Sequence, residues 1–250
     1  MILHSLIERK EQKIKYLAIL VDPDKIQNNK ELEDINLLCA ANNVDFILIG
    51  GSLLVSGSLG ETVQYFKANS SLPVILFPGS NLHIDKSADA ILFLSLISGR
   101  NPDYLIGQHV SAAPILRKSK IEVLSTGYIL IGNDANTTVA HISQTSPIPT
   151  MKTDIAICTA MAGEMLGMKL IYLDAGSGPK EEVPGALISG VRKTINTPLI
   201  VGGGINTTQK AMIAYESGAD VIVLGTAVEK DKNFIAEAAK IKEELNTTRS

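Results

Sequence analysis

Residues 199–226 read LIVGGGINTTQKAMIAYESGADVIVLGT. Leu199 to Val201 and Val221 to Leu224 are short, continuously apolar runs bounded by Gly and Asp. Runs of that kind suit strands buried on both faces, as in a parallel sheet. The residues between them follow a helical pattern: Asn206 with Gln209 three positions on is a cap signature, and Gly218 is a C-terminal stop. The stretch is therefore strand, helix, strand, and a glycine-bearing turn follows each strand: Gly202-Gly-Gly-Ile-Asn206 and Gly225-Thr226.

The same alternation extends back to the N-terminus. Apolar runs occur at Leu17 to Val21, Phe46 to Ile49, Val74 to Phe77, Ala90 to Leu94, Glu122 to Ile131 and Leu170 to Leu173, which brings the strand candidates to eight. Helical faces lie between or after them, such as Leu32, Ile35 and Cys39, or Phe234, Ala238, Ile241 and Leu245. A weak repeat places an Asp between a helix end and the next strand, at Asp45, Asp89 and Asp220. Strands alternating with helices imply right-handed crossovers and a parallel sheet. Eight such units favour a closed barrel, because closure removes the edge strands. The expected fold is an α/β (β/α)8 barrel of the TIM type, a single domain spanning 1–250; such barrels typically take roughly 250 residues. Gly79 to Ser87 is short, so the helix after the third strand is weak or missing. Ile2, Leu3, Leu6 and Ile7 form one face that would cover the bottom of the barrel. Asn133 to Thr150 looks the least ordered, and is either a mobile substrate cover or a plain surface loop.

Composition narrows the class. With 45% hydrophobic and 20% charged residues, the chain is globular rather than disordered. A net charge of −3 provides no basic face for nucleic acid. Cys39 and Cys158 sit in apolar helical patterns and read as small core residues of a reducing, cytoplasmic protein. Glu8 and Arg9 interrupt the N-terminal apolar face, so no secretion signal is expected. Ile155 to Leu173 carries Glu164 and Lys169 and is broken by Gly163 and Gly167, which makes it helix then strand, not a membrane span. His83, His109 and His141 show no metal-ligand spacing.

The glycine turns point to the chemistry. Tyr172-Leu-Asp-Ala-Gly-Ser-Gly178 joins the two turns already named, so three adjacent strand ends carry glycine. Glycine lets main-chain N–H groups approach an anion closely, and loops after the last strands are the usual phosphate cradle of this fold. The first strand runs into Val21-Asp-Pro-Asp-Lys25 and the second into Gly50-Gly-Ser52, at the same face. A carboxylate, a hydroxyl and a phosphorylated substrate together suit Mg²⁺. Equally, the Asp-Pro turn caps a helix, and spacing does not rank Asp22 against Asp24. Asp174 is either a general base or a partner for turn amides.

Taken together, these segments resemble the geranylgeranylglyceryl phosphate synthases and their bacterial relatives over nearly the whole chain. The matching residues are Val21-Asp-Pro-Asp-Lys25, Ile49-Gly-Gly-Ser52, Phe77-Pro-Gly79, Phe93-Leu-Ser-Leu96, Ser98-Gly-Arg-Asn-Pro102, Thr126-Gly-Tyr128, Tyr172 through Gly178, Val201-Gly-Gly-Gly-Ile205 and Gly225-Thr226. The resemblance implies a Mg²⁺-dependent prenyltransferase in which a hydroxyl of sn-glycerol 1-phosphate attacks C1 of geranylgeranyl diphosphate and expels diphosphate. It implies that Asp22 and Ser52 hold Mg²⁺. Tyr172, Leu173, Asp174, Ala175, Gly176, Ser177, Gly178, Gly203, Gly204, Gly225 and Thr226 would bind the glycerol phosphate. Asp174, Tyr172 and Lys25 would serve the chemistry, Lys25 by stabilising the leaving group. The family pattern often has Glu where this chain has Asp174, a shorter arm. A homo-oligomer is expected, with membrane contact through the lipid product rather than an anchor. The alternatives are a longer prenyl donor such as heptaprenyl diphosphate, an FMN-binding barrel oxidoreductase, and a non-catalytic barrel that binds a phosphate ligand.

Overall fold

The computed structural model describes residues 1–248. Eight parallel strands close into a barrel in sequence order: β1 (Tyr16–Val21), β2 (Phe46–Gly51), β3 (Val74–Pro78), β4 (Ala90–Leu96), β5 (Glu122–Leu130), β6 (Leu170–Asp174), β7 (Leu199–Gly202) and β8 (Val221–Leu224). The helices are α1 (Ile2–Glu11), α2 (Asn29–Ala41), α3 (Leu59–Asn69), α4 (Gln108–Lys118), α5 (Thr138–Ser143), α6 (Thr153–Met165), α7 (Gly185–Arg192), α8 (Thr208–Glu216), α9 (Thr226–Lys230) and α10 (Phe234–Thr247). The alternation read from the apolar runs is the TIM-type α/β barrel observed.

Side chains alternate across each strand and so build two cores. Tyr16, Phe46, Leu48, Ile75, Leu124 and Ile200 fill the barrel, while Leu17, Ile19, Ile47, Leu76, Ile129 and Val201 pack outward against the helices. α1 closes the bottom through Leu6, with Ile2 and Leu3 packed on the inner cluster; Ile7 of the same predicted face is 39% exposed. Glu122 caps this helix, accepting the Ile2 and Leu3 N–H groups at 2.6 and 3.0 Å.

No helix lies between β3 and β4, as the short segment foretold. The two strands also pair over only Ile75–Ala90 and Leu76–Ile91, whereas β4 and β5 pair over seven positions. Phe77 and Pro78 are thus free of β4, and the barrel wall parts at its upper end.

Several local expectations are corrected. The N-cap of α8 is Thr207, whose side chain accepts the Lys210 N–H, not Asn206. Cys39 is buried and its thiol is pushed up to about 12 by burial, but Cys158 is exposed, on the outer side of α6. Residues 133–150 are built rather than loose. They contain α5, capped by Thr137, and a bridge between Ile131 and Ile148, and Asn133 holds Thr150 at 2.7 Å.

Candidate active site

The upper ends of β6, β7 and β8 meet the upper ends of β1 and β2 around a polar cavity. On β6 the alternation points Tyr172 and Asp174 inward. Leu173 and Ala175 point outward into the helical core, so these two of the predicted binding residues do not bring side chains to the cavity. Gly176, Ser177, Gly178, Gly203, Gly204, Gly225 and Thr226 all line it. Glycine is required at Gly203, where φ is +80° and a β-carbon would stand 2.7 Å from both the Ala175 nitrogen and Asp174 Oδ1. The β7 turn therefore lies directly on the β6 turn. Gly225 differs: a β-carbon there meets nothing nearer than the Leu20 side chain at 3.5 Å. The opening in front of it is cavity.

Asp174 ends β6 and is buried. Its Oδ1 accepts the Gly176 N–H at 2.9 Å, and its Oδ2 accepts a short hydrogen bond from the Tyr128 hydroxyl. Burial raises its pKa above the ordinary carboxylate value, and these two donors pull it back. Tyr128, Tyr172 and Phe77 form an aromatic cluster beneath the cavity, with ring centroids 5.5 to 6.2 Å apart. Tyr128 was not among the predicted site residues, although it lies in the Thr126-Gly-Tyr128 segment.

The two aspartates of Val21-Asp-Pro-Asp-Lys25 separate cleanly. Asp24 accepts the N–H groups of Val55, Ser56 and Gly57, the first two at 2.8 and 3.0 Å, so it holds the loop after β2. Asp22 caps the 3₁₀ turn at Pro23–Lys25 through Oδ1, and it lines the cavity together with Ser52. The capping reading of this segment is realised on Asp22, which also lines the cavity, while Asp24 serves the neighbouring loop. Burial raises the Asp22 pKa, against the Asp24 amide and Lys25. Glu229, exposed at the rim on α9, is raised by partial desolvation and then by the charge of Asp22. Asp22 and Ser52 offer hard oxygen donors only. Among the described residues no cluster of three His, Cys, Asp or Glu forms a complete cage. That donor set suits a Mg²⁺ ion completed by water and substrate phosphate. Lys25 is exposed and lines neither the cavity nor the groove beside it, whereas Lys230, unmarked in the sequence reading, lines the cavity.

Beside the polar cavity runs an apolar groove that no motif announced. It starts at the barrel top with Phe77, Leu94, Leu96 and Tyr128 and passes out to Ile84, Ile91, Phe93 and Ala112. Ile91 and Phe93 face the outer core while Leu94 and Leu96 face the inner one, so the groove crosses the wall of the barrel. The parted β3–β4 ladder and the missing helix provide that passage. Val139 and Ile142 of α5 also line it, so the 133–150 segment contributes to the groove wall. His109 packs edge-on against Phe93 at 4.4 Å as a packing residue of the wall. Gly51, Ser52 and Phe77 line both spaces, so groove and cavity meet there.

Comparison with known proteins gives a consistent picture. The PcrB family pattern matches residues 7–245. A geranylgeranylglyceryl phosphate synthase of Chitinophaga pinensis is 51% identical over 238 residues, covering 95% of this chain and 94% of the relative. A protein of the same name from Thermococcus gammatolerans is 44% identical, covering 96% and 94%. The crystal structure of (S)-3-O-geranylgeranylglyceryl phosphate synthase from Thermoplasma acidophilum, in complex with its substrate sn-glycerol-1-phosphate, superposes with a TM-score of 0.88 at 32% identity and covers 98% of both chains.

Proposed function

The chain belongs to the PcrB family, with the geranylgeranylglyceryl phosphate synthases it matches, and on that premise we propose that it joins sn-glycerol 1-phosphate to geranylgeranyl diphosphate through an ether bond. The observation that carries this reading is the junction at Gly51, Ser52 and Phe77. A glycine-lined polar cavity for a phosphate there meets an apolar groove for a long hydrocarbon tail. The groove also sets the reading apart from a flavin oxidoreductase or a simple phosphate-binding barrel, neither of which needs one.

Glycerol phosphate sits against the glycine turns of Tyr172 through Gly178, Gly203, Gly204, Gly225 and Thr226. Leu173 and Ala175 contribute through their main chain. The glycerol hydroxyl oxygen bonds to C1 of the prenyl group, the C1–O bond breaks, and its electron pair leaves with diphosphate. Asp174 takes the hydroxyl proton, and Tyr172 shapes the floor beside it. Asp22 and Ser52 would hold Mg²⁺, which would supply positive charge to offset that of the leaving diphosphate. Lys230 supports the anionic groups from the cavity wall, and Lys25 adds charge from outside.

The whole chain, 1–250, serves as one catalytic unit in this proposal. It works in the cytoplasm and meets membranes through its lipid product. Ile106 and Val110, 60% and 65% exposed at and beside the start of α4, offer apolar surface for a homo-oligomer, which light scattering tests.

The deciding experiment incubates purified protein with glycerol 1-phosphate and radiolabelled prenyl diphosphates of graded length, up to heptaprenyl, with and without Mg²⁺. A Mg²⁺-dependent ether lipid is expected, most efficiently from the geranylgeranyl donor. A preference for the heptaprenyl donor would reassign the chain length, and no product with any donor would overturn the proposal. Asp174→Asn should lower kcat by on the order of 10²–10⁴-fold, the range for a lost general base.

A further inference from the structure

We propose that Tyr128 is a positioning residue for the reaction: its hydroxyl holds the Asp174 carboxylate ionised and turned toward the polar cavity, and its ring screens that charge from the apolar groove. The inference rests on the reading of Asp174 as the base.

Three observations carry it. First, β5 and β6 pair with Tyr128 opposite Tyr172, and both side chains point into the barrel. From there the Tyr128 hydroxyl donates its one proton to Asp174 Oδ2, while Gly176 N–H serves Oδ1. Each carboxylate oxygen therefore has one protein donor and keeps acceptor capacity for a substrate hydroxyl. Second, Tyr128 lines the groove and not the cavity, and Asp174 lines the cavity and not the groove. Their hydrogen bond crosses the partition between the two spaces. Third, the Tyr128 ring is fixed edge-on between Phe77 and Tyr172, so the hydroxyl has little freedom to leave.

The surroundings make this donor decisive. Tyr172 lies on the same strand as Asp174, and Gly202 and Gly203 of the neighbouring β7 side carry no charge. Asp22 and Glu229 share the cavity as further acids, and among the described residues Lys230 is its only lining cation. Burial disfavours the charged carboxylate, and only the Tyr128 and Gly176 hydrogen bonds oppose it directly. The phenol itself is held far above its ordinary pKa by burial and by the charge of Asp174, so the shared proton stays on the tyrosine.

Removing the donor should move the carboxylate pKa further up. The base must be deprotonated to act, so the acid limb of the rate profile moves to higher pH. A hydrogen bond to a charged group is worth enough to shift it by about one to two pH units.

The test is Tyr128→Phe, which keeps the ring. The acid limb of kcat/KM should rise by that amount while the rate on the alkaline plateau stays within a few-fold of the parent. In protein labelled with ¹³C-carboxyl aspartate, the signal missing from Asp174→Asn should titrate at correspondingly higher pH. Should the phenylalanine variant fail to fold, 3-fluorotyrosine at position 128, a stronger donor, should move both readouts the other way. An unshifted Asp174 titration, or a rate loss equal at every pH, would reduce Tyr128 to packing and overturn the inference. If instead Asp174→Asn keeps its kcat, the base reading falls, while the carboxyl titration still decides whether Tyr128 governs the charge.

Discussion

Gly203 packs on Asp174 so closely that a β-carbon would stand 2.7 Å from the carboxylate Oδ1. Gly203→Ala therefore forces apart the β6 and β7 turns, and it also places alanine at φ +80°, a left-handed conformation that costs about 1–2 kcal/mol. The variant should melt lower and lose activity together, which thermal denaturation and an assay on one sample would show. An unchanged melting temperature would mean that the turns are not in this contact.

Gly225 allows a cleaner probe of the phosphate pocket. Its β-carbon finds ordinary contact with Leu20, whereas one on Gly204 would stand 2.9 Å from the Glu182 backbone at a φ of +75°. Gly225→Ala should leave the melting temperature nearly unchanged and raise KM for glycerol phosphate more than for the prenyl diphosphate. Equal losses for both substrates would place the damage in the fold.

Asp22 and Asp24 should part in the same way. Asp22→Asn removes the carboxylate that lines the cavity together with Ser52 at the β1 and β2 ends, so prenyl transfer should be abolished with melting unaffected. Asp24→Asn weakens three main-chain hydrogen bonds to the 55–57 loop, so melting should fall while Mg²⁺ dependence is retained. Activity in Asp22→Asn with the parental Mg²⁺ dependence would remove Asp22 from the metal site.

The Asp repeat seen in the sequence proves to be a structural joint. Asp45, Asp89 and Asp220 each precede an even-numbered strand, and each carboxylate accepts the first N–H groups of the strand before: Leu17 at 2.9 Å, Val74 at 2.8 Å and Leu199 at 2.8 Å. Their cations differ in burial. Asp220 pairs with Arg192 at 2.9 Å in a nearly buried setting, while Lys67–Asp89 is 36% exposed on both sides. Asp220→Ala should thus cost about 3 kcal/mol, as for a broken buried pair, and Asp89→Ala about 1 kcal/mol. Denaturant melts would test the order, and equal losses would contradict it.

What was legible follows from where the physics is local. Strands buried on both faces must be apolar throughout, so Val221–Leu224 was readable to the residue. The glycine turn after β7 was readable because close approach and a positive φ at Gly203 and Gly204 admit no side chain. The missing helix after β3 was readable from the brevity of Gly79 to Ser87. Its consequence was not, because the groove gathers Ile84, Phe93, Ala112 and Ile142 from segments far apart in sequence, and apolar residues carry no motif. Tyr128 escaped for a related reason: inside an apolar strand it looks like core until its hydroxyl is seen on Asp174. Lys25 drew attention as a charge beside the aspartates, yet the 3₁₀ turn carries it to the surface.

The groove itself yields the last prediction. Ile84 lies on the loop that replaces a helix between β3 and β4 and lines the outer part of the groove, so it has room to accept bulk without repacking a strand. Ile84→Trp should fill that outer part and leave the junction at Phe77 untouched. A prenyl tail excluded by one five-carbon unit loses about 4 kcal/mol at roughly 0.8 kcal/mol per buried methylene. That corresponds to a fall in kcat/KM on the order of 10³-fold for the geranylgeranyl donor. A geranyl donor, too short to reach Ile84, should react as with the parent protein, and KM for glycerol phosphate should not change. Parallel losses for the long and short donors would mean that the tail lies elsewhere, since only a filled groove discriminates by length.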